Sequence, residues 1–143
     1  MIEVKNLNKS FDGKQVLKDI SAVFENGKTN LIIGQSGSGK TVLMKSIIGL
    51  HQIDNGKIFY DGRNLPDMQT KEIKNLRKEV GMLFQGSALF DSLTVGENVK
   101  FPLEMFSSMS KAEIEERTIF CLNRVNLLHA KDLYPSEISG GMQ

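Results

Sequence analysis

The chain has little of what marks several large classes of protein. Its 18 Lys and Arg nearly balance its 17 Asp and Glu, leaving a formal charge of +1 over 143 residues. A nucleic-acid binder would show a basic excess or a basic stripe. The densest basic run here, residues 71–78, is interrupted by Glu72 and followed by Glu79, and reads as a solvated helix face. There is one cysteine, Cys121, so no internal disulfide can form and a reducing compartment fits. Between Phe120 and Leu122 it reads as a small buried apolar residue. The opening residues Met1, Ile2, Glu3, Val4 and Lys5 lack a charged-then-apolar leader pattern. No apolar run approaches the roughly 18 residues of a membrane span. A cytoplasmic protein is expected, with any membrane role exercised through a partner. Repeats and low-complexity linkers are absent.

What is present is a succession of strand and helix patterns. Residues 2–7 alternate weakly and predict a strand. Phe11, Asp12, Gly13 and Lys14 predict a turn. Residues 16–24 place Val16, Leu17, Ile20, Ala22 and Phe24 as a half-buried strand. Asn26-Gly27 is a hairpin signal, and residues 29–33 end in Leu31, Ile32 and Ile33, which suits a strand buried on both faces. A helix is expected over 41–50, with Leu43, Met44, Ile47 and Ile48 at helical spacing. Asn55-Gly56 and Asp61-Gly62 bracket a short strand over 57–60. A polar helix over 70–78 and an apolar strand over 80–84 follow. Ser110 and Glu113 have capping-box spacing ahead of an apolar stripe of Ile114, Cys121, Leu122, Val125 and Leu128. Strand patterns dominate before residue 85 and helix patterns after it, so two subdomains are expected, 1–85 and 86–143.

Residues Gly34, Gln35, Ser36, Gly37, Ser38, Gly39, Lys40 and Thr41 fit the full phosphate-loop pattern of Gly, four residues, Gly, Lys, Thr. The glycines admit backbone conformations closed to residues with a Cβ. Successive N–H groups then turn toward phosphate oxygens, and the helix that follows adds the positive end of its dipole. Lys40 supplies a mobile charge for the β- and γ-phosphates, and the Thr41 hydroxyl is placed for Mg²⁺. An apolar strand pattern before the loop and a helix pattern after it are the context the motif needs. The motif alone does not separate kinases, GTPases and ATPases.

Three further segments resemble the ATP-binding-cassette (ABC) ATPases. Ile138, Ser139, Gly140, Gly141 and Met142 resemble the family signature Leu-Ser-Gly-Gly-Gln, with Ile138 and Met142 as departures. The resemblance implies that Ser139, Gly140 and Gly141 meet the γ-phosphate of ATP held by a second subunit. Gln85 ends an apolar run as the family's Q-loop glutamine does, which implies contact with Mg²⁺ and the attacking water. Phe11 stands at about the spacing of the aromatic residue that stacks on adenine, usually Tyr, and Val16 would pack against the base edge. The implied fold is α/β, a truncated P-loop NTPase of the ABC type: a mixed sheet forming the nucleotide-binding core over 1–85, and the start of a helical subdomain over 86–143. The implied partners are ATP, a second identical ATPase subunit and a transmembrane permease, with no nucleic acid. The expected location is cytoplasmic, on the inner face of the membrane.

The family's Asp-Glu strand and switch histidine have no counterpart. No Asp-Glu pair occurs in the sequence, and His51 and His129 stand at other positions. The chain as given is therefore expected to turn over no ATP, whereas the complete protein would be an ATPase. Residues 82–99, with the run Ala88-Leu89-Phe90 and Phe101-Pro102-Leu103 after it, resemble most the ATPases of bacterial phospholipid-trafficking (Mla-type) systems. The apolar side chains there suit either core or a groove for a partner helix. The sequence is also compatible with an ABC ATPase of amino-acid, metal or lipoprotein-release transport, a non-catalytic nucleotide-binding module, and an ABC protein without a transporter.

Overall fold

The computed structural model describes all residues except Gln85 and Ser87. Contacts divide the chain into two compact units, Met1–Met82 and Leu83–Gln143.

The first unit is built on a hairpin. Strands β1 (Ile2–Phe11) and β2 (Lys14–Phe24) pair antiparallel through the two-residue turn Asp12-Gly13. Both turn residues have positive φ, 49° and 77°, the turn type whose twist matches a strand pair. β3 (Asn55–Tyr60) pairs with β1, and a second turn of the same kind, Asp61-Gly62, leads into β4 (Arg63–Asn64). The order is β2-β1-β3-β4, and every pairing among the described residues is antiparallel. Asn6 and Asp19, at φ 48° and 50°, bulge the hairpin; the Asn6 amide donates to the Asp19 carboxylate at 2.8 Å and holds the two bulges together.

One face of this sheet buries Val4, Leu7, Leu17, Ile58 and Tyr60 against Leu43 and Ile47 of α1 (Lys40–Ile47) and Leu76 of α2 (Thr70–Glu79). The C-terminal end of α1 is tied down twice. The Tyr60 hydroxyl donates to the Ile47 carbonyl at 3.0 Å, and Arg77 of α2 donates to the Gly49 carbonyl at 2.6 Å. Burial pushes the Tyr60 phenol up to about 12.

Two expected strands are not formed. Residues 29–33 and 80–84 have no ladder partner among the described residues, and Leu31, Ile33 and Leu83 are 80%, 82% and 84% exposed. A strand buried on both faces is a property of its neighbours as much as of its own side chains, and here none pairs with it. Asn26-Gly27 accordingly turns the chain without closing a hairpin. Asn55-Gly56 is part of β3 rather than a turn before it.

Two exposed aliphatic side chains two residues apart have a testable consequence. Covering Leu31 and Ile33 would contribute on the order of 3 kcal/mol to association. The chain is expected to self-associate as its concentration rises in sedimentation velocity. The double variant Leu31→Lys, Ile33→Lys should remain monomeric with an unchanged circular dichroism spectrum, because neither side chain is in the core. A wild-type chain that stays monomeric at all concentrations would contradict this.

The second unit holds α3 (Val95–Phe106) and α4 (Lys111–Arg124), followed by short 3-10 turns at Leu128–Ala130 and Pro135–Glu137. The Ser110–Glu113 capping box forms as the spacing predicts. Thr94 and Glu97 make the same box at the start of α3. Ile114, Thr118 and Leu122 are the buried face of α4, whereas Val125 and Leu128, expected in the stripe, are 60% and 38% exposed and lie outside it. Glu115 of α4 bridges Lys100 of α3 and Lys131; hydrogen bonds to both ammonium groups hold its carboxyl down at about 2. Among the described residues no helix is long and apolar enough to cross a membrane.

Candidate functional site

The loop over 34–41 runs from an unpaired extended segment into the first turn of α1, and the glycines decide its shape. Gly37 and Gly39 have φ of 78° and 92°, and a Cβ at Gly39 would press on Leu17, on the Val16 side chain and on the Val16 carbonyl at 3.0–3.2 Å. A side chain at Gly34 would meet Ser38 Oγ at 2.9 Å. The loop therefore lies close against the start of β2, and this is how Val16 comes to stand beside it.

The helix that follows is capped unlike its neighbours. α2, α3 and α4 each begin with a capping box whose third residue is a glutamate, Glu72, Glu97 and Glu113. α1 begins at Gly39 with no side-chain cap and no acidic residue in its first turn. Its leading N–H groups thus have no side-chain cap and no acidic residue beside them, and a helix start of this kind can accept an anion. The glutamates at the other three helices already provide that complement.

Lys40 folds back over the loop. Its Nζ donates to the Gly34 and Gln35 carbonyls, each at 2.7 Å. An ammonium carries three donors, so the group is held near the loop with capacity for an acceptor above it. Thr41, at the second helical position, is exposed. Among the described residues no cluster of His, Cys, Asp and Glu could hold a metal ion. Gln85 lies outside the described residues.

Phe11 is at the tip of the β1–β2 hairpin, partly exposed, with its ring edge-on to His51 at 5.3 Å and the Lys9 ammonium 5.1 Å from its centroid. Lys9 also binds Asp54, and that hydrogen bond, with one from the Ser10 N–H, holds the Asp54 carboxyl below its ordinary value. In the second unit Ser139, Gly140 and Gly141 form an exposed turn. Met142 and Gln143 N–H groups donate to the Ser139 carbonyl, and nothing stands within 4 Å of where a Cβ would be at either glycine.

Comparison with known proteins resolves which phosphate-loop family this is. The ABC transporter family profile matches residues 17–143. The chain belongs to the ABC transporter family. It is 40% identical to the methionine import ATP-binding protein MetN of Clostridioides difficile, covering 100% of this chain and 44% of that protein. It is 37% identical to the probable ribonucleotide transport ATP-binding protein mkl of Mycobacterium leprae, covering 99% of this chain and 41% of that protein. The chain thus spans less than half the length of these curated relatives. Among solved structures it resembles a dimeric ATP-binding cassette in a post-hydrolysis state bound to ADP and Pi, at a TM-score of 0.87 and 29% identity, over 99% of this chain and 65% of the other. The fold is therefore that of the ABC ATPase domain.

Sequence reasoning missed the residues that anchor the far end of α1. Tyr60 is 13 positions from Ile47 and Arg77 is 28 from Gly49, and no local pattern couples them. It also missed α3, although Thr94 and Glu97 have the spacing that was recognised at Ser110.

Proposed function

We propose that this chain is the ATP-binding portion of a transporter ATPase, with residues 1–85 as the nucleotide-binding core and 86–143 as the start of the helical subdomain. The observation that carries the reading is the phosphate loop ending in a helix that has neither cap nor acid at its start. In this reading the N–H groups of Gly37, Gly39, Lys40 and Thr41 cradle the phosphates, with Gly34, Gln35, Ser36 and Ser38 shaping the turn, which the bond from the Ser38 N–H to the Gln35 carbonyl at 3.2 Å closes. Lys40 leaves the two loop carbonyls for the β- and γ-phosphate oxygens, and Phe11 and Val16 flank the base. Mg²⁺ would be held by the Thr41 hydroxyl and by Gln85, and it supplies charge neutralisation between the phosphates. Ser139, Gly140 and Gly141 would face the γ-phosphate bound by a second copy. ATP then favours the closed pair over the open one, and hydrolysis in the complete protein reverses that preference. The subunit would sit at the cytoplasmic face of the membrane, docked on a permease.

For the transported substrate, the Ala88-Leu89-Phe90 run supports phospholipid. The 40% identity to a methionine import protein supports an amino-acid importer equally well. Transport assays with labelled methionine and labelled phospholipid separate the two.

The docking role is tested in the 89–93 segment. Phe90 is 49% exposed, and Leu89 and Leu93 are half-buried. A carboxylate forced into an apolar contact without a counter-ion costs several kcal/mol, roughly 3 or more. In the complete subunit, Phe90→Glu is expected to weaken association with the permease at least about 100-fold while ATP still binds; Leu89→Glu and Leu93→Glu should act in the same direction. Pull-down with the membrane partner and fluorescent-nucleotide titration are the two measurements. Full assembly by all three variants would remove the segment as the dock, and unfolding of all three would make it core.

A further inference from the structure

The start of α3 needs nothing from Asn98. The Val95 N–H donates to the Leu133 carbonyl and the Gly96 N–H to the Lys131 carbonyl, both at 2.8 Å, and the Glu97 N–H reaches Thr94 Oγ1 at 3.2 Å. The Asn98 main-chain N–H makes the first intrahelical bond, to the Thr94 carbonyl at 2.9 Å. Every leading donor of the helix is thereby satisfied.

The Asn98 side chain turns back over the loop that precedes the helix. Its Oδ1 accepts the Phe90 N–H at 2.9 Å, and its Nδ2 faces the carbonyls of Phe90, Leu93 and Thr94 at 3.1, 3.1 and 3.0 Å. The loop itself adds a bond from the Leu93 N–H to the Phe90 carbonyl at 3.1 Å. The Phe90 ring leans on Phe101 at 4.7 Å and leaves half its surface outside, beside exposed Asp91 and Ser92. Burial alone does not hold an aromatic ring in that half-exposed position; the backbone beneath it has to be fixed.

We infer that Asn98 is the positioning residue of the 90–94 loop, its one amide group fixing the backbone that presents Phe90 and Leu93 to the membrane partner. The inference rests on the docking role proposed above. No other side chain does the same work in that place. Aspartate has the acceptor but no donor at neutral pH, glutamine is one carbon too long, and an aliphatic residue has neither. Among the described residues the side-chain hydrogen bonds of Asn98 run to Phe90, Leu93 and Thr94, all within the loop and its junction with α3.

The test uses the complete subunit, with Asn98→Ala and the near-isosteric Asn98→Asp, which keeps the shape and turns a carboxylate toward three carbonyl oxygens. Two readouts are taken: hydrogen exchange at the Phe90 and Leu93 amides, and affinity for the permease complex. Asn98→Ala removes the acceptor of the Phe90 N–H and is expected to speed Phe90 exchange about ten-fold or more; Asn98→Asp keeps that acceptor but loses the donor to the three carbonyls, and both variants are expected to weaken permease binding about ten-fold. Exchange in the α4 amides should not change, which separates a local effect from general unfolding of the unit. Wild-type exchange at Phe90 in Asn98→Ala overturns the inference. So does faster exchange with wild-type affinity while Phe90→Glu still abolishes binding; in that case the segment docks but Asn98 does not shape it. If Phe90→Glu also binds normally, the docking reading itself has failed and the inference falls with it.

Discussion

Lys40→Ala in the complete subunit is expected to lower ATP hydrolysis by about 100-fold or more and to weaken ADP binding by less than about ten-fold. The asymmetry follows from where the charge acts. The backbone cradle, built by Gly37 and Gly39 and the open first turn of α1, survives the substitution and still holds the phosphates that ADP and ATP share. On the proposed reading the ammonium would act on the oxygens between the β- and γ-phosphates, where charge builds during transfer, and ADP lacks the γ-phosphate. Removing one electrostatic donor of this kind costs roughly 3–4 kcal/mol of barrier. The substitution also removes the bonds from Nζ to the Gly34 and Gln35 carbonyls, so some loosening of the empty loop accompanies it. Steady-state hydrolysis and ADP titration, run side by side, decide the matter. Small and equal effects on both would mean that Lys40 is not at the phosphates.

Gly56→Ala is expected to be the most damaging small substitution in the first unit. Gly56 has φ of +106°, and an added Cβ would lie 2.6 Å from the Asn6 carbonyl oxygen, 2.7 Å from the Leu7 Cα and 2.7 Å from the Lys5 carbonyl oxygen. All three are backbone atoms of β1 at its bulge, so no flexible side chain can move aside. The backbone strain and the overpacking together cost about 3 kcal/mol or more. That is a large part of the roughly 5–15 kcal/mol that stabilises an ordinary domain. Gly62→Ala is the control: φ there is +83° and nothing stands within 4 Å of the added methyl, so its cost is about 1 kcal/mol. Urea denaturation of the two variants should show a much larger drop in midpoint for Gly56. A wild-type midpoint for Gly56→Ala would mean that β1 and β3 do not approach in this way.

The two glycines also show what could be read in the sequence. Asp61-Gly62 is a turn because its own two residues adopt positive φ, and such local chemistry is visible in a dipeptide. Asn55-Gly56 has the same kind of composition, but its glycine serves a close approach by a strand about 50 residues earlier, which a dipeptide cannot announce. The phosphate loop and the Ser110 cap were legible for the same reason as the first: their function lies in contiguous residues at fixed spacing. Residues 29–33 carried a strong strand pattern, yet they form no ladder, because pairing belongs to the neighbours. The clasp on the far end of α1 was invisible because Tyr60 and Arg77 act across the fold on carbonyls that any residue would offer.

The missing cap at Gly39 has a thermodynamic side. A helix whose first turn is completed by a side chain is finished when the chain folds, whatever the solution contains. In α1 no side chain supplies that complement, so on the proposed reading a bound anion would supply it and the free energy of this turn would be linked to ligand concentration. A nucleotide present at 100 times its dissociation constant adds about 2.7 kcal/mol to the folded side of the balance. If the loop holds nucleotide as proposed, the ligand would also be a component of its fold.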